Sequence, residues 1–497
     1  VSGYIIGIDQ STQGTKAILF DGKGSFIRRE DLSHEQIISE KGWVSHDPEE
    51  IYANTVSVVK NLVERAGIDR SEVAGIGISN QRETSVLWDR ATGKALNNAV
   101  VWQCTRAESI AGEVREAGHA EEIRSKTGIN LSPFFPAAKY AWLLRNTEGA
   151  QEKAEEGSAC LGTIDSFLVF RLTGGREFRT DYSNASRTQL FNIRELKWDE
   201  EIPGWFGIPE KALPEVTPSD GFFGETDLEG FFEEPVPIRG VMGDSHAALY
   251  GQGCHEAGMV KATYGTGSSV MMNVGDTPVF SDSGIVSSLA WHIGGRAQYV
   301  LEGNIIYTGA VMSWMVNDVH MMEKATESIE IMARANQDDT TYLVPAFTGL
   351  GAPYWESSAT AMMTGMTRTT GRDEIIKAGV ECTAYQIYDI VSAMRKDAGI
   401  KMADLRADGG PTKNYNLMQF QADIINSDVL VPDAEELSAI GAAYCAGIAL
   451  GIYDSGEVFS SVNRKRYRPL MEEEKRKKKL KGWKNAIELV LKGAGQK

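Results

Sequence analysis

The stretch YIIGIDQSTQGTKAILFD, residues 4–21, reads as two strands around a tight turn. β-Branched and aromatic residues mark Tyr4–Asp9 and Thr15–Asp21 as strands, while Gly14 and small polar residues fill the QSTQG between them. VKATYGTGSSVMMNVG, Val260–Gly275, repeats the pattern with GTGS at its turn. Two such hairpins, one opening each half, predict two related domains, 1–252 and 253–497, facing a shared cleft. The length agrees, since 497 residues exceed what one hydrophobic core supports.

Between the hairpins, DPEEIYANTVSVVKNLVERAG (Asp47–Gly67) places Ile51, Val56, Val59 and Leu62 at helical spacing. Asp47 is its predicted N-cap and Gly67 its stop. A strand, VAGIGIS (Val73–Ser79), follows directly. Such alternation predicts mixed α/β domains. Near the C-terminus, EEEKRKKKLKGWKNAIELVLKG leads with acidic residues and lines Leu480, Trp483, Ile487 and Leu491 along one side. It reads as a solvated surface helix, because the body of the chain is acidic and no lipidation motif is present.

The net charge of −17, from 51 basic and 68 acidic residues, repels phosphate backbones and argues against nucleic-acid binding. Cys104, Cys160, Cys254, Cys382 and Cys445 form no CxxC pair, which predicts reduced thiols and a cytoplasmic location. No stretch approaches the ~20 apolar residues of a membrane span. Tyr4–Ile8 is short, lacks preceding basic residues and runs into Asp9, so it does not read as a secretory signal.

VMGDSHAALYG, Val241–Gly251, sets Asp244, Ser245 and His246 side by side. Neighbours on a helix point roughly 100° apart, so these three cannot form a hydrolase triad, and no GxSxG is present. Asp244 then either caps a helix or carries chemistry. No GxxxxGK[ST] or strand-helix GxGxxG exists. DQSTQGTK and YGTGSS nevertheless offer backbone N–H groups and hydroxyls suited to phosphate oxygens. Asp9 could hold hydrated Mg²⁺ and Lys16 could add charge, although a plain hairpin turn explains each feature taken alone.

Taken together, these features resemble the FGGY family of carbohydrate kinases, most closely its glycerol kinase branch. The resemblance runs through GWVSHDPEEIY (Gly42–Tyr52), ISNQRET (Ile78–Thr84), NAVVWQC (Asn98–Cys104), GTIDSFLVFRLTG (Gly162–Gly174) and DYSNASRTQLFNI (Asp181–Ile193). It continues through KATYGTG (Lys261–Gly267), LVPAFTGLGAPYW (Leu343–Trp355) and DGGPTKNYNLMQFQADI (Asp408–Ile424). FFPAAKYAWLLRN (Phe134–Asn146) resembles the family's first signature.

The resemblance implies two actin/hexokinase-like (ribonuclease H-like) ATPase domains flanking a central cleft, with polyol on the first and ATP mainly on the second. It implies that Asp244 is the general base and that Arg82 and Glu83 grip substrate hydroxyls. Trp102, Phe134, Ser245 and Ser269 fall at the remaining substrate positions. Thr12, Gln13, Lys16, Gly265 and Thr266 resemble the phosphate-contacting turns, and Gly309, Ser313, Gly410 and Asn414 the other nucleotide contacts. Asp9 and Asp244 would hold Mg²⁺. The expected activity is ATP-dependent phosphorylation of a terminal hydroxyl of glycerol or a slightly larger polyol; the alternatives are a kinase for a four- or five-carbon sugar or ketose and, from another class, a non-catalytic nucleotide-dependent binding protein on the same fold. Family members are usually oligomers, so a homodimer or homotetramer is expected.

The departures gather around the substrate. Ser245 stands where the branch usually has Gln, Ser269 where it has Phe, and Phe134 where it has Tyr. Lys16 and Thr105 each replace an Arg. Losing the Phe and shortening the Gln enlarge and wet the pocket, a change worth about 1–3 kcal/mol per group. His246 reads equally as a new polar contact or as a plain helix residue.

Overall fold

The computed structural model describes residues 3–494. In the first half, β1 (Tyr4–Gln10) and β2 (Gly14–Phe20) pair antiparallel across the QSTQG turn, and β3 (Phe26–Ser33) extends the sheet beyond β2. On the other side, β4 (Val73–Asn80) and β5 (Val236–Gly243) lie parallel to β1, giving the order β3-β2-β1-β4-β5 with the short strand Glu225–Thr226 at the edge. The second half repeats this scheme. There β6 (Val260–Tyr264), β7 (Ser268–Gly275), β8 (Val286–Ile293), β9 (Arg296–Ile305), β10 (Leu405–Asp408), β11 (Val429–Pro432) and β12 (Arg464–Tyr467) run β8-β9-β7-β6-β10-β11-β12. Its core, β9-β7-β6-β10-β11, matches β3-β2-β1-β4-β5 strand for strand, antiparallel on one side and parallel on the other. This is the two-sheet α/β architecture the paired hairpins predict.

Helix α1 (Pro48–Ala66) starts where Asp47 accepts the Glu49 N–H and stops at Gly67, whose φ of 69° suits glycine. Two further helices join the halves. α2 (Asp244–Gly251) follows β5 but packs Ala247, Leu249 and Tyr250 among Met271, Ala290 and Val300 of the second half. α3 (Leu437–Ala449) follows β11 but packs against Ile5, Ile18 and Phe20 of the first. The two helices touch backbone to backbone, since a Cβ on Gly441 would lie 1.8 Å from the Ala247 carbonyl oxygen. Packing therefore does not divide at 252/253: residues 437–449 belong with the first sheet.

The C-terminal helix, α4 (Glu473–Ala494), is docked rather than solvated all round. Trp483 is buried, stacks on Tyr385 at 5.0 Å and donates to Asp389 Oδ2 at 2.7 Å. Lys477, Lys478, Lys481 and Lys484 stay exposed, whereas Lys479 is buried with its ammonium 3.8 Å from Glu381. Among the described residues, no helix is long and apolar enough to cross a membrane.

Candidate active site

Strand register gathers the polar groups at one edge of the first sheet. Asp9 pairs with Ser79, and Asn80 pairs with both Gln10 and Gly243, so β1, β4 and β5 end together. Loops after such parallel strand ends are where α/β sheets bind ligands. The loop 81–84 after β4 is pinned from below. Gln81 N–H donates to the Gln10 carbonyl at 2.6 Å, its Nε2 to Gln10 Oε1 at 2.9 Å, and Thr84 Oγ1 to Gln81 Oε1 at 2.7 Å. These bonds hold Glu83 at φ 61°, a left-handed backbone rare for non-glycine residues and concentrated at functional sites.

Asp244 is the first residue of α2 and not its cap; Gly243 takes that place. The Asp244 carboxylate accepts the Ser245 N–H at 2.6 Å and lies 3.2 Å from Arg82 Nε, with 35% of its side chain open to the cleft. Burial raises its carboxyl and Arg82 opposes the rise. Asp9 accepts from Ser79 Oγ at 2.8 Å, and burial plus the charge of Asp244 push it up to about 6.

Among the described residues, neither carboxylate has a cation to itself. Lys16, expected at the phosphates, places its ammonium on Glu436 at 2.9 Å, and Arg82 is shared with Glu302. Two neighbouring carboxylates that repel each other suit a hydrated Mg²⁺. Among the described residues no three His, Cys, Asp or Glu side chains converge on a point, so a cation held here would need water and phosphate oxygens for the rest of its ligands.

Arg82 and Glu83 do not pair with each other. Arg82 Nη1 and Nη2 each donate to Glu302 at 2.8 Å, while Arg187 Nε donates to Glu83 at 2.6 Å and its Nη1 to Glu302 at 3.0 Å. Burial would raise the Glu302 carboxyl, but Arg82 and Arg187 hold it well below the usual range. Glu302 sits on β9 of the second half, so this buried cluster also ties the halves together.

Arg187 and Glu302 escaped the sequence reading. Glu302 had one signal, the only charge in the largely apolar run YVLEGNII, because such a charge is rarely buried without partners. Arg187 lies in DYSNASRTQLFNI, whose other members also brace the site. Asn184 Nδ2 donates to Asn80 Oδ1 at 3.0 Å, and Ser183 Oγ accepts the Gly243 N–H at 3.0 Å.

Around the substrate positions, the Trp102 and Phe134 rings lie 5.9 Å apart, with Phe134 42% exposed. Trp102 Nε1 also donates to Thr12 Oγ1 at 3.0 Å, joining this wall to the first turn. Ser245 is half-buried beside Asp244. Ser269 Oγ points at Glu302 Oε1, 3.3 Å away. His246 does not line the cleft. It is fully buried with Nε2 3.3 Å from Ser288 Oγ, and burial and Arg82 lower its imidazole well below the usual range.

In the two turns, the amides of Thr12, Gln13, Thr266 and Gly267 find no protein acceptor among the described residues, which leaves them able to donate to phosphate oxygens. The helix Gly309–Asn317 takes up the carbonyls of the second turn: Gly309 N–H donates to Gly265 at 2.9 Å and Ala310 N–H to Thr266 at 3.0 Å. Ser313 is exposed one turn along this helix. Gly410 is exposed after Gly409, where a Cβ would lie 1.9 Å from the Tyr264 oxygen. Asn414, expected among the nucleotide contacts, makes structural bonds with its side chain. Its oxygen caps the helix Tyr415–Ile425, accepting from Asn416 and Leu417 N–H at 3.1 Å, and its amide faces Ser328.

Comparison with known proteins identifies the family. Residues 4–251 match the N-terminal domain, and residues 260–450 the C-terminal domain, of the FGGY family of carbohydrate kinases. Glycerol kinase of Caldanaerobacter subterraneus is 45% identical over 494 residues, covering 99% of both chains. Glycerol kinase 1 of Thermotoga maritima is 46% identical over 490 residues, covering 98% of this chain and 99% of its own. The crystal structure of Plasmodium falciparum glycerol kinase with ADP superposes with a TM-score of 0.93 at 36% identity, over 99% of this chain and 98% of that one. With both domains matched and the repeated sheets facing one polar cleft, the chain belongs to the FGGY family of carbohydrate kinases.

Proposed function

We propose that this kinase transfers the γ-phosphoryl group of ATP to a terminal hydroxyl of a small polyol, glycerol or one slightly longer. The observation that carries the reading is the Asp244 carboxylate, open to the cleft, 3.2 Å from an Arg82 that Glu302 holds in place. Asp244 accepts the hydroxyl proton as the substrate oxygen bonds to the γ-phosphorus and the bond to the bridging oxygen breaks, releasing ADP. Arg82 and Glu83 orient the hydroxyls, and Trp102 and Phe134 cover the carbon chain. The amides of the two turns hold the phosphates. Mg²⁺, when bound at Asp9 and Asp244, shields phosphate charge. In this reading 1–252 supply the polyol site and 253–497 most of the nucleotide site. All five cysteines are free and buried, which supports a reducing cytoplasm.

A longer substrate is favoured by Ser269, a small hydroxyl directed at Glu302 rather than an apolar wall. The test is kcat/KM for ATP turnover with glycerol, erythritol, threitol, xylitol and common ketoses. Phosphorylation of none of them overturns the kinase reading. Ser269→Phe should shift preference toward glycerol by roughly tenfold; a shift toward longer polyols rules out the enlarged pocket.

A further inference from the structure

Lys139 lies in the segment FFPAAKYAWLLRN, on the helix Pro136–Asn146, and none of the steps above uses it. Its side chain is fully buried, where lysine is rare because burial penalises the charge. Among the described residues no carboxylate pairs with it within ion-pair distance. Its amine donates instead to two backbone carbonyls, that of Trp102 at 3.0 Å and that of Phe134. These are the two residues whose rings face each other at 5.9 Å. An apolar side chain would fill the same volume without the desolvation penalty, so packing alone does not account for the lysine. Burial moves the amine down to about 7, with the charge of Glu83 opposing, and a neutral amine still has two N–H groups for two carbonyls.

We propose that Lys139 is a positioning residue for polyol recognition: its amine fixes the Trp102 and Phe134 backbones relative to each other and so sets the gap between their rings. This rests on the reading that those rings line the polyol site. Trp102 and Phe134 are 32 residues apart in the chain, and a bond from one amine to both carbonyls prevents the loops that carry them from drifting independently.

The test uses the full-length enzyme and the best polyol of the substrate panel. Lys139→Met, which keeps the length and removes the donor, should raise the polyol KM about tenfold or more while the ATP KM and kcat stay within about threefold. In a Trp102→Ala background, which alone should raise the polyol KM, the further effect of Lys139→Met should shrink to less than about threefold. An unchanged polyol KM in folded Lys139→Met, an equal rise in the ATP KM, or an effect undiminished in the Trp102→Ala background overturns the proposal. If Lys139→Met does not fold, Lys139→Gln decides by the same criteria, since its shorter arm reaches only one carbonyl. The two readings fail separately: a Trp102→Ala variant with unchanged polyol KM removes the ring-wall reading and this proposal with it. A raised KM in Trp102→Ala beside an unmoved one in Lys139→Met removes the role of Lys139 alone.

Discussion

The two hairpin turns, Ser11–Gln13 and Gly265–Gly267, look alike in sequence and occupy equivalent places in the repeated sheets, yet they are held by different means. The first has backbone bonds of its own, Ser11 N–H to the Gly14 carbonyl and His34 N–H to the Gln13 carbonyl, but is fastened chiefly by side chains. Gln10 and Gln81 bond each other and the Ser11 carbonyl, and Trp102 reaches Thr12. The second is fastened chiefly by backbone, its carbonyls accepting the N–H groups of Thr308, Gly309 and Ala310, with the Thr308 hydroxyl also donating to them, 3.0 Å from the Gly265 oxygen. The first half also contributes the carboxylates, Asp9 and Asp244, where the second contributes Glu302, a buried anchor. On the proposed reading the duplicated scaffolds thus divide the work: both turns offer amides, while the first half presents the carboxylates and the second a buried brace.

The strongest challenge to this division is Asp244→Asn. Turnover should fall by about 10²–10⁴-fold with ATP affinity nearly unchanged, measured by single-turnover kinetics and calorimetric titration. Appreciable turnover would mean that the first half does not supply the acting charge. Glu302→Gln comes next. It leaves two guanidiniums short of a carboxylate, so the polyol KM should rise and stability should drop by about 3–5 kcal/mol in denaturant titration. A stable variant with normal KM would show that the brace is dispensable.

Gly309→Ala sharpens the contrast between the turns. Its Cβ would lie 2.5 Å from the Gly265 oxygen, so the cradle must shift and the ATP KM should rise on the order of tenfold while the polyol KM holds. Thr12→Ala removes one side-chain fastening and should disturb both constants, because Trp102 loses its partner. If the two variants behave alike, the distinction fails.

The smallest effect is on pH. Asp9, raised to about 6, is ionised above that value and protonates below it, so kcat/KM should fall as the pH drops through about 6. Protons and Mg²⁺ compete for the same carboxylates, so more Mg²⁺ should move this limb to lower pH. A limb indifferent to Mg²⁺ would separate Asp9 from the cation. For stability the sign is opposite. The folded state holds this proton more tightly than the unfolded chain, so the contribution is full below about 4 and is lost as the pH rises through about 6.

Local pattern determined much of this protein. Strand alternation and turn glycines marked both hairpins, Asp47 and Gly67 bounded α1, and adjacency on a helix excluded a triad at Asp244–His246. These features depend on residues within a few positions of one another, whose geometry the backbone period dictates. Family resemblance pointed further, to Asp244, Arg82 and Glu83 as the residues proposed to act. Only the tertiary structure decided the partners. Arg82 meets Glu302 from 220 positions away, Arg187 meets Glu83 from 104, and Lys16 turns to Glu436 across 420. Asn414 became a helix cap, His246 was buried against Ser288, and α2 and α3 each crossed to the opposite half. The physical reason is that a buried charge takes whatever counter-charge the packing of distant strands brings within reach, and no periodicity along the chain encodes that encounter.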